Sequence, residues 1–188
     1  MVETTQLQAI NTMLSCIGES PVSSLSSTHS ADVTVAMNIL DEVCRDLMTR
    51  EWYWNTKKNV TLIPNASGKI IVPTNWVRID HETLDLIKRG AYLWDRENET
   101  DVFTTQVTEL TVVMFLDWTD MPEAARRYCM IRGGRTLAAR MVSSEKAVGF
   151  TERDEQQAFM VLREFEVEQA DYNMFNNPDI AYRNRRWA

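Results

Sequence analysis

The stretch from Ser30 to Trp54 constrains the fold more than any other part of the chain. Its apolar residues recur every three or four positions, which places them on one face of an α-helix. Ser30 is a suitable N-cap, and Asp32 lies in the first turn, where the helix dipole favours a negative charge. The pattern predicts a helix that continues to Glu51, about 33 Å at about 1.5 Å per residue. The apolar face consists of Val33, Ala36, Met37, Leu40, Val43, Cys44 and Leu47.

Three aromatic residues, Trp52, Tyr53 and Trp54, end this stretch, and the pattern after them changes to strict alternation. We interpret each ring first as a core residue, since large rings bury much apolar area. Their position predicts an aromatic junction at which a long helix passes the chain to a β region.

Helix signals also flank this part of the chain. A capping box from Thr5 to Gln8 opens a first helix, and Gly18 suits its left-handed C′ position. Asp120, as N-cap, with Pro122 and Glu123 behind it, predicts a third helix. Thr151 opens a fourth helix, whose apolar face contains Ala158, Phe159, Leu162 and Phe165.

Short alternating segments separated by turn residues lie between the second and third helices. Turns are predicted at Asn65–Gly68, Lys88–Gly90 and Arg96–Asp101. Strands are predicted around Val60–Leu62, Ile70–Val72, Trp76–Ile79, Ala91–Asp95 and Thr108–Trp118.

The predicted class is therefore α+β: a helical domain resembling a four-helix bundle, with a small antiparallel β sandwich or barrel inserted into it. The predicted bounds are residues 1–54 and 119–177 for the two helical halves, 55–118 for the β domain and 178–188 for a C-terminal arm. Neither pair of helices could bury its apolar face alone, so the two halves should pack together.

Charge and cysteine content exclude several classes of protein. There are 20 Lys and Arg against 27 Asp and Glu, a net charge of −7, which argues against a chain that grips DNA through its phosphates. The three cysteines include no CxxC pair and are expected to be reduced core residues of a protein made in the cytoplasm. We expect no signal peptide, and no apolar run approaches the roughly 18 residues of a membrane span.

No catalytic constellation is evident. His29 and His81 are far apart, and no Asp or Glu stands at metal-ligand spacing from either. Cys129 lies on an apolar helix face, where a core role is favoured over nucleophilic catalysis. We expect no enzyme activity, no metal and no cofactor.

Two basic features leave a nucleic-acid-binding helical module open as an alternative function. One is Arg132-Gly133-Gly134-Arg135, which is similar to RGG segments but lies within a helical pattern, where paired glycines indicate a kink or a close helix crossing. The other is the C-terminal arm, with Tyr182, Arg183, Asn184, Arg185, Arg186 and Trp187. Such an end is either disordered or docks on a partner, because Arg and Trp are common anchors of interfaces.

Several phrases in fixed order carry a resemblance to a known family. Ile17–Val22 ends the first helix, and Arg50-Glu51-Trp52 is followed by Asn55 and Leu62-Ile63-Pro64. Tyr92–Arg96 precedes Phe103, and Trp118–Glu123 opens the third helix. From about Leu7 to Phe175 the chain resembles the tail tubular protein A family of short-tailed bacteriophages (podoviruses), the head-to-tail adaptor or gatekeeper.

The resemblance implies a structural virion protein that forms a dodecameric ring beneath the portal. The ring would join the portal to the nozzle formed by tail tubular protein B, with tail fibres near that junction, and DNA would pass through its lumen during ejection without specific binding. No membrane partner is implied.

We expect the two ends of the subunit to contact different partners. The arm, Tyr182–Trp187, should contact the portal, because it leaves the helical end. The β-domain turns should contact the nozzle or a fibre through Asn65, Ala66, Ser67, Gly68, Arg96, Glu97, Asn98 and Glu99.

Overall fold

Helices occupy both ends of the described chain, and β-strands occupy its middle. The computed structural model describes residues 3–25, 30–141 and 150–169. In chain order the elements are α1 (Gln6–Ser15), α2 (Ala31–Met48), β1 (Thr56–Leu62), β2 (Trp76–Asp80), β3 (Leu86–Arg89), β4 (Tyr92–Asp95), β5 (Val107–Met114), α3 (Glu123–Met141) and α4 (Glu152–Gln169). Short 3₁₀ turns, Tyr53–Asn55 and Trp118–Asp120, lie on either side of the strands. The predicted α+β class is confirmed.

Both predicted caps of α1 are confirmed. The backbone N–H of Gln8 donates to the Thr5 hydroxyl oxygen at 3.2 Å, and the Thr5 N–H donates to the Gln8 side chain at 2.9 Å. At the other end Glu19 N–H donates to Leu14 C=O at 3.1 Å, around Gly18 with φ +80°. This is a Schellman ending, which requires a left-handed residue at the position that Gly18 occupies.

Helix α2 is capped by Ser30, as predicted, but its predicted end at Glu51 is wrong. The helix ends at Met48. Its last carbonyls are taken by side chains from beyond the helix: Trp52 Nε1 donates to Leu47 C=O at 2.8 Å, and Asn55 Nδ2 donates to Met48 C=O at 2.9 Å. These bonds replace the next helical turn and fold the chain back toward the strands.

The predicted N-cap of α3 is also wrong. Asp120 closes the 3₁₀ turn, with its N–H donating to Asp117 C=O at 2.9 Å, and Met121 after it is extended. The helix begins at Glu123, where Pro122 C=O accepts from Ala125 at 2.9 Å and from Arg126 at 3.0 Å. The 3₁₀ turn and the extended Met121 place Asp120 two positions before Pro122, the residue that precedes the first residue of α3, so Asp120 is not at the N-cap position.

The helical core is formed by apolar residues from all of α1 to α4. The glycine pair in α3 lies inside it. A Cβ on Gly133 would lie 3.0 Å from Met13 Cε, and one on Gly134 would lie 3.0 Å from the Phe150 ring and 3.1 Å from Cys16 Sγ. Of the two interpretations left open by the sequence, the structure shows a close helix crossing inside a continuous helix.

The strands form two antiparallel sheets with a second core between them. One sheet has the order β1-β5-β2, and the other is the β3-β4 hairpin. The predicted strand at Ile70–Val72 appears only as an isolated bridge between Ile71 and Tyr92 of β4. The predicted turn at Lys88–Gly90 is present but shifted, because β3 continues to Arg89 and the chain turns at Gly90, with φ +65°, and Ala91. The second core contains Ile70, Val72, Ile79, Leu86, Leu93, Val107, Leu110 and Val112.

The junction between helices and strands is built around Asn55, whose side chain is fully buried. Besides Met48 C=O, its Nδ2 reaches Arg50 C=O at 3.2 Å, and its Oδ1 accepts from the Trp52 N–H at 2.9 Å. Trp52 stacks on Trp54 with ring centroids 6.3 Å apart. The junction is therefore aromatic, as predicted, but its organising group is an amide.

The third ring of the junction departs from the core interpretation. Tyr53 is 58% exposed, and its backbone N–H donates to a carboxylate oxygen of Glu166 in α4 at 2.5 Å. The backbone of Tyr53 is thus held by α4 while its ring faces solvent.

We expect Asn55→Ala to lower the free energy of unfolding by about 3 kcal/mol, because buried backbone groups lose their partners. Asn75→Ala is the matched control: this exposed amide makes one bond, to Phe115 C=O at 3.2 Å, and its loss should cost less than about 1 kcal/mol. Urea denaturation of both variants measures the difference, and equal losses would contradict a special role for Asn55.

Candidate partner-binding surface of the β domain

The turn at Asn65–Gly68 is ordered by one side chain. Asn65 Oδ1 accepts from the backbone N–H groups of Ser67 and Lys69, both at 3.0 Å, and from the Ser67 hydroxyl at 2.7 Å. Gly68 N–H closes the turn onto Asn65 C=O at 2.9 Å. Asn65, Ala66 and Ser67 are exposed, whereas Gly68 is half-buried. The turn therefore presents polar groups in a fixed arrangement.

The turn at Arg96–Asp101 has an equivalent organiser in Asp95. The Asp95 carboxylate accepts from the Asn98 side chain at 2.9 Å and from the Asn98 N–H at 3.0 Å. These bonds, the side-chain bond most of all, lower the pKa of Asp95. Arg96, Glu97, Asn98 and Glu99 are all exposed, and Glu99 has a positive φ of 50°.

The structure brings these two predicted turns together. Lys69 Nζ lies 2.7 Å from an Asp101 carboxylate oxygen, which raises the pKa of Lys69, and Phe103 N–H donates to Gly68 C=O at 2.8 Å. A Cβ on Gly68 would lie 2.8 Å from Val102 Cγ1, so the two chain segments touch at the glycine. The chain that follows each turn thus joins the two turns, through Gly68 and Lys69 on one side and residues 101–103 on the other.

This pair of turns lies at the end of the β domain remote from the helices. β1 leaves the junction at Thr56, opposite Val113, and reaches Leu62, opposite Val107. The Asn65–Gly68 turn follows directly beyond that far end. We call the surface formed by 65–68 and 96–99 the distal tip.

An apolar surface beside the distal tip was missed from the sequence. It lies on the outer face of the β3-β4 hairpin and its neighbouring bridges, and we call it the hairpin face. Arg89 stacks over the Trp94 ring at 4.5 Å, and Lys69 stacks over Tyr92 at 5.2 Å. The hairpin face consists of Lys69, Ile71, Ile87, Arg89, Tyr92, Trp94 and Val102.

Alternation was the signal that could have revealed this face. Ile70, Val72 and Leu93 point into the core, so the residues between them must point outward. Of the residues next to them in the chain, Ile71 is 61% exposed and Tyr92 is 38% exposed.

The predicted portal contact, Tyr182–Trp187, lies outside the described residues, as does the part of the predicted second helical half beyond residue 169. Neither prediction is tested.

The arginines of the Arg132–Arg135 segment are engaged within the helical domain. Arg132 donates to the Tyr128 hydroxyl and to Asp46, both at 3.0 Å, and Arg135 donates to Glu155 at 2.6 Å. Because these cations already contact carboxylates and the glycines between them are buried, the segment offers little to nucleic-acid phosphates.

The three cysteines are buried, as expected for core residues. A hydrogen bond with Cys44, together with burial, raises the pKa of Cys129, so the thiol stays protonated. Within residues 3–25, 30–141 and 150–169 no three His, Cys, Asp or Glu side chains are grouped so that they could hold a metal ion.

The family of the chain is identified by its similarity to known proteins. A family model described as Tail tubular protein matches residues 7–172. The chain belongs to the tail tubular protein family. A search of curated proteins gave no significant match.

As a tail tubular protein, the chain is a structural component of a phage tail and hence of the virion. Membership of a structural family suggests a role without catalysis. Among the described residues, no helix combines the length and the apolar character that a membrane span needs.

The contact between Gly68 and Val102 can be tested by adding one methyl group. Gly68→Ala and Gly90→Ala both place alanine at a positive φ, +79° and +65°, at about 1–2 kcal/mol each. Among the described residues only the Gly68 methyl meets another side chain, since no described atom lies within 4 Å of a Cβ at Gly90.

We therefore expect Gly68→Ala to cost about 1–3 kcal/mol more than Gly90→Ala, as overpacking does. Thermal unfolding of the two variants makes the comparison. If both variants lose the same stability, the two turns of the distal tip are not held together at Gly68.

Proposed function

We propose that this tail tubular protein is the head-to-tail adaptor of a short-tailed phage. Twelve copies form a ring that joins the portal to the nozzle and surrounds the channel for DNA ejection. The family match supports a tail protein, and one structural observation carries the finer role. A single chain has two cores, one helical and one β, with the distal tip remote from the helices. Such a subunit can contact one partner above and another below.

The distal tip is the surface proposed for the nozzle protein, tail tubular protein B, or for a tail fibre. The backbones of its turns and the side chains of Ser67 and Asn98 are held by Asn65 and Asp95 before any partner binds. Preorganised turns lose little conformational entropy on binding. The tip therefore suits a permanent junction.

The arm, Tyr182–Trp187, is proposed to contact the portal, together with the helical domain. Arg183, Arg185 and Arg186 could each bind a carboxylate through two parallel hydrogen bonds, and Trp187 could fill an apolar pocket. The arm continues from the helical half of the chain, which is the half assigned to the portal.

DNA is proposed to pass the ring without being held. The net charge of −7 disfavours phosphate binding. The Arg132–Arg135 segment, the basic segment of the described helices that was considered for nucleic-acid binding, already contacts Asp46 and Glu155 through its two arginines. A nucleic-acid-binding function is thus not supported by the Arg132–Arg135 segment, and the arginines of the arm are proposed to contact the portal.

Native mass spectrometry of the chain, alone and with its portal, tests the ring. We expect a species of twelve subunits in the presence of the portal, and a variant truncated after Pro178 should bind the portal at least about tenfold more weakly. A monomer or dimer in both samples would overturn the proposal. Unchanged portal binding by the truncated variant would refute only the role of the arm.

The assignment of the distal tip can be tested with one bulky charged residue placed at either end of the β domain. Ala66→Arg alters the tip, whereas Thr74→Arg introduces the same residue at an exposed site near the junction. We expect only Ala66→Arg to weaken binding of the ring to the nozzle, by about tenfold or more, because a buried unpaired cation is costly at an interface. Pull-down of the purified nozzle protein provides the readout, and equal effects would reject the assignment.

A further inference from the structure

The hairpin face exposes a cluster of apolar side chains to solvent. Ile71, Ile87, Tyr92 and Val102 are 61%, 37%, 38% and 50% exposed. Cross-strand pairing places them side by side, because Ile71 lies opposite Tyr92 and Ile87 lies opposite Trp94. Clustered exposed apolar side chains mark interaction sites more often than scattered ones do.

Arg89 gives this face a fixed positive charge. Its guanidinium lies over Trp94 at 4.5 Å, and it forms no ion pair with any described residue. A guanidinium carries five N–H donors, and stacking fixes its plane without consuming them. The face therefore requires a partner that offers apolar side chains beside a carboxylate.

The outer surface of α4 offers that chemistry. The helix packs inward through Ala158 and Leu162, which are buried. Its outward side carries Met160, Val161 and Val167, which are 63%, 46% and 55% exposed. Glu164 and Glu168 lie among them, are exposed, and form no ion pair within the part of the chain that the structure describes. We call these five residues the α4 face.

We propose that the hairpin face of one copy packs against the α4 face of the next copy around the ring, with Arg89 opposite Glu164 and Glu168. This contact rests on the ring put forward under the proposed function. The occupant is a second copy of this chain because the two faces match in both charge and apolar content.

The contact joins two different faces, which is the arrangement that a ring needs. Heterologous contacts of this kind form closed rings when the rotation between subunits closes. Pairing two hairpin faces would instead bring two Arg89 cations to one contact with no carboxylate of the face free to pair with them, and like charges at an interface are unfavourable.

The pairing is tested by reversing the charge on the hairpin face, then on the α4 face, and then on both faces together. The variants are Arg89→Glu, the pair Glu164→Arg with Glu168→Arg, and all three substitutions together. Lys58→Glu is the matched control, with the same charge change at an exposed site of β1. Native mass spectrometry with the portal measures the subunit concentration needed for the ring, and thermal unfolding checks each fold.

We expect Arg89→Glu and the α4 pair each to raise that concentration about tenfold or more, because like charges then face each other at every contact. The triple variant should recover most of the loss, and Lys58→Glu should behave like the unchanged chain. Rings that tolerate Arg89→Glu, or a triple variant with no recovery, would overturn the pairing. Loss of nozzle binding with normal rings would also overturn it, since the face would then belong to another protein.

A second measurement depends on proximity alone. Because Cys16, Cys44 and Cys129 are buried, a short bismaleimide should link only introduced cysteines. A mixture of Arg89→Cys and Glu164→Cys chains should give a covalent dimer on assembly, whereas Lys58→Cys with Glu164→Cys should not. Rings without the covalent dimer would reject the contact while leaving the adaptor proposal intact. If the wild-type chain forms no ring with its portal, both the contact and the adaptor proposal are rejected.

Discussion

The side-chain amide of Asn55 is the interaction on which the arrangement of the chain most depends. It accepts from Trp52 and donates to Met48 and Arg50, so a single buried group ends a helix, orders the aromatic residues and starts the first strand. An amide suits this place because it offers donors and an acceptor without carrying a charge that burial would penalise. The direction in which the β domain leaves the helices follows from these bonds.

The rest of the structure divides into parts with different physical character. The helical domain is held by an apolar core and by ion pairs between helices, such as Arg140 with Glu42, which lowers the pKa of that carboxyl. The far end of the β domain is held by turns that satisfy their own polar groups. A helical core resists deformation, whereas ordered exposed turns are free to carry sequence-specific contacts.

Local signals in the sequence were predictive where one short segment decides the outcome. The caps at Thr5, Gly18 and Ser30 involve bonds between near neighbours, and all three are present. Two helix ends were missed because other local bonds decide them. The side chains of Trp52 and Asn55 capture carbonyls of α2 that the next helical turn would use, and Asp120 belongs to a 3₁₀ turn that ends before α3. The hairpin face was missed for a different reason, since its residues come from separate segments that only strand pairing brings together.

The burial and protonation of the thiols affect how the virion withstands oxidation. A virion is made in a reducing cytoplasm but then persists in air and water, where exposed cysteines oxidise. Cys129 and Cys44 lie in the core that joins the helices, and the raised pKa of Cys129 keeps it in the unreactive protonated form. Burial and the protonated state therefore both protect the Cys129 thiol from oxidation, which suits a protein that must persist in a virion.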